Sequence, residues 1–154
     1  MPMALKSKSE NLLKHLILQT LLATATLAIL FLILGQQKLI LVSTIGATAF
    51  IVFLTPTSKS AKTKNIILGH LTGLAIGTCF YYTTLPYFVE YPLAIGGTIL
   101  VMAILGIRHA PAAGTALAVT INDQPLNAFI AVMLCAIVLS QCHYYLKKYL
   151  KDLS

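Results

Sequence analysis

"RHAPAAGTALAVT", from Arg108 to Thr120, lies deep within an otherwise apolar sequence. It opens with two basic side chains and a proline, then continues almost wholly in small residues. The apolar part, Pro111 to Ile121, has eleven residues. As a helix, at about 1.5 Å per residue, it reaches only about half of the ~30 Å hydrocarbon core of a bilayer. A partial echo stands earlier in "VSTIGATAF", Val42 to Phe50. Gly46-Ala47-Thr48-Ala49-Phe50 aligns there with Ala113-Gly114-Thr115-Ala116-Leu117. How these two stretches are read decides the fold.

The surrounding 154 residues are 58% hydrophobic and only 10% charged, with mean hydropathy +0.86. Soluble domains carry about a quarter charged residues, so the composition points to an integral membrane protein. The reading is a single transmembrane domain over 1–154. The polar ends, about 1–14 and 147–154, are too short to fold alone. The net charge of +7 belongs to short loops and ends, so it reads as membrane topology rather than nucleic-acid binding. The first apolar block exceeds the ~7–15 residues of a signal peptide's apolar region and runs into Gly35-Gln36-Gln37-Lys38, so it is read as a retained span.

Six apolar segments can be marked: His15–Leu34, Leu39–Leu54, Asn65–Leu85, Tyr91–Ile107, Pro111–Ile121 and Pro125–Leu146. The second is short and the fifth very short. If all six cross, starting from the cytoplasm, Lys6, Lys8, Lys14, Lys59, Lys62, Lys64, Arg108, Lys147, Lys148 and Lys151 share the inner side. Lys38 alone lies outside, with Glu90 and Asp123. That is the bias of the positive-inside rule, with both termini cytoplasmic. Four spans with two re-entrant segments would put the N-terminal lysines opposite Lys59, Lys62 and Lys64, and six crossings are favoured. The expected fold is then all-α: two inverted three-segment repeats, about 12–85 and 91–147. In each, the second segment is a half-helix preceded by extended chain.

Non-helical backbone is tolerated at membrane depth only within protein or beside a wet cavity. Pro111 suits a first helical position, since its missing N–H has no partner there anyway. A helix start inside the membrane presents free N–H groups and partial positive charge, which favours an anion. Paired interrupted segments in inverted halves are the sequence pointer to a transport site near the midplane. Ser43 or Thr44 can cap a matching start in segment two. The expected site therefore comprises Ser43, Thr44, Gly46, Ala47, Thr48, His109, Pro111, Ala112, Ala113, Gly114 and Thr115. Gly46, Ala47, Ala112, Ala113 and Gly114 admit either a small ligand or a tightly packed helix. Thr48 and Thr115 either line the path or bond back to their own helices. Lys38 and Arg108 stand before the two short segments, where they can attract anions. His109 and His70 are the candidates for gating or proton transfer. His70 also sits on the Gly69-x-x-x-Gly73-x-x-x-Gly77 packing face, where a structural hydrogen bond is the competing role.

Other features read as structural. His15, His143, Tyr144 and Tyr145 look like interfacial anchors. Asn122-Asp123-Gln124-Pro125 looks like a turn capping segment six. Cys79, Cys135 and Cys142 show neither pairing nor metal spacing and read as packing residues. No metal or other cofactor is expected. Glu10, Glu90, Asp123 and Asp152 all lie outside the apolar segments, so no catalytic carboxylate pair forms and no enzyme activity is expected. Expected partners are the bilayer, a small inorganic anion and a second copy of the chain.

Three stretches, "STIGATAFIVFLTP", "NIILGHLTGLAIG" and "RHAPAAGTAL", resemble the HPP family of integral membrane proteins in order and spacing. The family's His-Pro-Pro is His109-Ala110-Pro111 here, so the histidine and the helix-starting proline are kept and the middle proline is lost. Members are usually described with four spanning helices, and some carry additional soluble domains. Plant chloroplast relatives are associated with nitrite transport. The resemblance thus implies nitrite as substrate, and nitrate is a close chemical alternative. The competing reading is a non-transporting membrane module that binds a partner or small ligand.

Overall fold

The computed structural model describes residues 3–34, 39–121 and 125–153. Among them lie six α-helices and no strand: α1 (Met3–Leu34), α2 (Leu39–Leu54), α3 (Thr63–Tyr81), α4 (Tyr87–Ile104), α5 (Pro111–Thr120) and α6 (Pro125–Leu146). Three stretches are long and apolar enough to cross a bilayer: Asn11–Leu32, Tyr87–Ile104 and Leu126–Leu146. Glycine, threonine and His70 dilute the apolar content of α3, and that composition suits the position it takes. It packs against α4, α5 and α6.

The helix ends have local causes. Thr83 and Thr84 precede Leu85-Pro86, and a residue before proline is pushed away from helical geometry. α3 accordingly stops at Tyr81, short of the expected Leu85. α4 begins at Tyr87, four residues ahead of the expected start, with Pro86 as its cap and Glu90 in its first turn, where a carboxylate is favoured. It ends on Gly106, the one described glycine with positive φ, at 67°. The Ile107 N–H reaches back to the Met102 carbonyl at 2.8 Å, closing a Schellman turn, while both side chains enter one buried cluster.

Two expectations for the short segments need correction. α2 is one continuous helix through Ser43 and Thr44, so neither residue caps a helix start. Before α5 the irregular chain covers only residues 107–109, since Ala110 already has helical φ and ψ of −54° and −37°. The α5 start also offers few free donors. Pro111 has no N–H, Ala112 donates to the His109 carbonyl and Ala113 to the Ala110 carbonyl, both at 3.1 Å.

Helix directions follow from close contacts. Added Cβ atoms at Gly69, Gly73 and Gly77 would meet His109, Ala112 and Ala116 in turn, so α3 and α5 run parallel at backbone contact. α5 begins level with Gly69, about 9 Å along α3 from Thr63. α2 runs antiparallel to α5, with Thr44 against Gly114 and Thr48 against His109. The main apolar core joins Leu30, Ile45, Val52, Phe53, Cys135 and Leu139 from α1, α2 and α6.

One end of the bundle is tied together by polar contacts. Gln19 in α1 is fully buried. Its amide donates to the Phe53 carbonyl and, at 2.9 Å, to that of Lys151. Its oxygen accepts from the Lys151 N–H at 3.2 Å. Leu153 donates to the Leu54 carbonyl at 3.0 Å, and Thr57 holds the Asp152 carboxylate. His143 is buried, with Nε2 2.8 Å from the Pro56 carbonyl, so it is a structural tie rather than an interfacial anchor. Tyr144 and Tyr145 are exposed as expected. The 55–64 loop and the C-terminal tail thus share one end, as the charge pattern requires. Lys38 and the 122–124 turn lie outside the described residues.

Candidate functional site

α2, α3 and α5 each send a polar side chain into the buried middle of the bundle, and the lead-in to α5 sends another. Thr48, His70, His109 and Thr115 are all fully or almost fully buried. His70 Nδ1 is 2.8 Å from Thr115 Oγ1, and His70 Nε2 is 2.9 Å from Thr48 Oγ1. His109 Nε2 is 3.2 Å from both Thr48 Oγ1 and His70 Nε2. His109 Nδ1 is 3.1 Å from the Ser60 carbonyl in the 55–64 loop. The rings meet edge to face, 4.8 Å between centroids.

The helices explain why these groups converge. Glycine at 69 removes the Cβ that would stand 2.7 Å from that of His109. His70, the next residue, is carried against α5 by the same close packing. Thr48 and Thr115 bond the carbonyls of Thr44 and Pro111, four residues earlier in their own helices, at 3.0 and 3.3 Å. At Thr48 both roles coexist, because its hydroxyl donates to the Thr44 carbonyl and still accepts; at Thr115 the one proton has two possible takers, the Pro111 carbonyl and His70.

The hydrogen bonds assign the protons. A carbonyl only accepts, so His109 must carry its proton on Nδ1 and donate to Ser60. With the ring neutral, Nε2 is then an acceptor. It is served if His70 carries its proton on Nε2, which points between His109 Nε2 and Thr48 Oγ1. His70 Nδ1 then accepts from the Thr115 hydroxyl, at 2.8 Å rather than the 3.3 Å to Pro111. In this arrangement every ring nitrogen is satisfied, and donation runs one way from Thr115 to Ser60. The opposite tautomer of His70 would leave two bare Nε2 atoms facing one Thr48 proton.

Two open clefts are lined by sequence neighbours of the cluster residues, such as Ala47, Ala110 and Gly114, but by none of the four themselves. One, of about 470 Å³, lies between α2 and α5 and is lined by Ser43, Thr44, Ala47, Ala110, Pro111 and Gly114, among others. The other, of about 480 Å³, lies between α4 and the α5 lead-in and includes Met102, Ile107, Arg108 and Ala110. The expected residues thus divide. Thr48, His70, His109 and Thr115 form the cluster; Ser43, Thr44, Ala47, Pro111 and Gly114 line the first cleft; exposed Arg108 stands at the second. Ala112 packs against Met102 and Ile107. Gly46 and Ala113 line neither cleft. Between α2 and α5 the contact is closed at Gly114, where a Cβ would stand 2.8 Å from Thr44 Cγ2.

Sequence reasoning missed the Ser60 carbonyl, which has no residue-type signal. It also passed over Gln19, although a lone amide inside an apolar block was visible. Among the described residues no group of three or more histidine, cysteine or acidic side chains is placed to hold a metal.

Residues 7–149 match the family description "HPP, transmembrane region". A transmembrane protein of Dictyostelium discoideum is 32% identical over 88 residues, covering 54% of this chain and 31% of that protein. The matched part spans about a third of the relative's length. No solved structure matches the chain. A buried histidine at the head of a proline-started helix, the threonine and glycine stretches around it, and a match over nearly the whole sequence agree: this membrane protein belongs to the HPP family.

Proposed function

We propose that the protein carries a small inorganic anion, nitrite or nitrate foremost, across the membrane, with the His70–His109–Thr48–Thr115 cluster at the centre of the path. The observation that carries this reading is the cluster itself: four hydrogen-bonding side chains buried together inside an apolar bundle. Polar groups in that setting are expensive unless fully partnered, and they characteristically mark ion and proton pathways. In this reading the two clefts, which no cluster residue lines, open onto the cluster when the helices part, and Arg108 places a positive charge at the second. Nitrite is named because of the family resemblance. No catalytic step, metal or cofactor enters the proposal.

The inverted-repeat arrangement belongs to the same reading. The contacts α1–α2, α2–α6 and α1–α6 exchange with α4–α5, α5–α3 and α4–α3 when the halves are swapped, and α2–α5 and α3–α6 map onto themselves, while α5–α6 has no comparable counterpart between α2 and α3. In this scheme α2 and α5 are the paired short elements, and their lysine-bearing end faces the cytoplasm. The anion sits beside the histidines rather than at two opposed helix starts, because the first N–H groups of α5 are already bonded. Transport then requires α2 and α5 to part at Thr44 and Gly114.

That closed contact favours the second reading, a non-transporting module whose small residues serve packing. Flux into proteoliposomes separates the two. Uptake of nitrite, nitrate, formate or chloride above empty vesicles supports transport, and its absence for all four supports the module.

A further inference from the structure

The one-way hydrogen-bond order has a consequence for what accompanies the anion. We propose that His70 and His109 are a proton relay, and that the protein moves its anion together with a proton. This rests on the anion-transport reading and names its coupling ion.

Each imidazole in the pair has one nitrogen that accepts and one that donates, as a relay requires. A proton delivered through Thr115 binds His70 Nδ1 and makes an imidazolium. His70 then releases its Nε2 proton across 3.2 Å to His109 Nε2. One N–H bond forms at Nδ1 and one breaks at Nε2, so His70 is neutral again and the positive charge rests on His109. His109 sheds its Nδ1 proton to water when the contact with Ser60 opens, beside exposed Lys59 and Lys62, and both rings, now in the opposite tautomer, turn over to restore the starting order. Bulk water supplies and receives the proton. Thr48, 2.9 Å from His70 and 3.2 Å from His109, holds both Nε2 atoms in reach of one oxygen.

The surroundings are suited to passing charge rather than trapping it. Among the described side chains, none of the acids faces the rings. Glu90 is engaged with Thr83, and Asp152 with Thr57. The nearest cations in sequence, Lys59 beside Ser60 and Arg108 beside His109, are exposed. α2 and α5 present only threonine hydroxyls to the pair. A transient imidazolium here has no fixed counter-ion, and an anion in the adjoining cleft would supply one. That makes proton and anion mutually stabilising, which is coupling in the thermodynamic sense.

The test uses the full chain in liposomes holding a pH-sensitive dye, with the membrane voltage clamped at zero by potassium and valinomycin. Nitrate is the first probe, because the anion of a strong acid cannot ferry its own proton through bare lipid; nitrite is the second. The expected result is that nitrate influx acidifies the lumen in step with the anion. An inward gradient of one pH unit should raise initial uptake several-fold. His70→Gln should lose at least ten-fold of the proton-driven rate. A melting temperature of His70→Gln in detergent that matches the wild type separates this loss from a failure to fold. Nitrate entry with unchanged luminal pH and no response to the gradient overturns the relay and leaves transport standing. No entry of either anion overturns both.

Discussion

His70 Nε2 and His109 Nε2 stand 3.2 Å apart although 39 residues separate them in the chain. Glycine spacing on α3 makes that distance possible. Gly73 and Gly77 repeat the device one and two turns further on, against the Ala112 and Ala116 carbonyls. Because those neighbours are backbone, they cannot rotate out of the way.

Gly73→Ala and Gly77→Ala should therefore each lower stability by about 1–3 kcal/mol, the usual range for overpacking a filled interior. Gly46→Ala is the control, since a Cβ there meets nothing within 4 Å. Thermal unfolding of the purified protein in detergent checks the contrast. Equal losses at Gly46 and Gly73 would remove the close-packing account.

Thr48→Val keeps the side-chain shape and deletes the hydroxyl shared by the two histidines. A buried donor that loses an acceptor, here the His70 Nε2–H, costs about 1–3 kcal/mol. Thr48→Ser should recover most of that. Denaturation of the wild type and both variants reads the effect, and a double-mutant cycle with His70→Gln should give a non-zero coupling energy.

Gln19→Ala should release the C-terminal tail, because one amide holds the Lys151 N–H and carbonyl as well as the Phe53 carbonyl. Limited trypsin digestion should cut after Lys151 several-fold faster than in the wild type. The loss in stability should be about 1–3 kcal/mol. An unchanged cleavage rate would mean that the Thr57–Asp152 contact alone secures the tail.

Gly106→Ala should cost about 1–2 kcal/mol, since an alanine at φ 67° brings its Cβ against the following carbonyl. Gly106→Asn should cost less, because asparagine tolerates that region. Melting temperatures of the two variants against wild type test the order.

Hydropathy and punctuation made much of the architecture legible. Leu39–Leu54 and Pro125–Leu146 appear with the expected bounds, because Thr55-Pro56 ends the first and Pro125 starts the second. Where bounds moved, Pro86 was the cause between α3 and α4 and Gly106 at the end of α4, while α1 runs back to Met3, well before the expected His15, because polar residues do not stop a helix. The site was readable residue by residue but not as an assembly. His70, His109, Thr48 and Thr115 were each suspect on chemical grounds, yet their meeting depends on α3 and α5 running side by side. The cap expected at Ser43 failed for a different reason. A serine or threonine inside an apolar helix looks the same in sequence as one at its start, and only the backbone path separates them. His143 had an unreadable partner, the Pro56 carbonyl, which any residue at that place would present.

The ten residues of α5 bear on how the chain is made as well as on what it does. A helix about 15 Å long cannot span the hydrocarbon and gains little from entering it alone. Its resting place is the glycine face of α3, which by then has already been synthesised. α5 therefore enters the membrane as a guest of α3. For this segment, translocon insertion and tertiary folding are one event, and a bulky residue at Gly73 or Gly77 should appear first as failed biogenesis, before any substrate is offered.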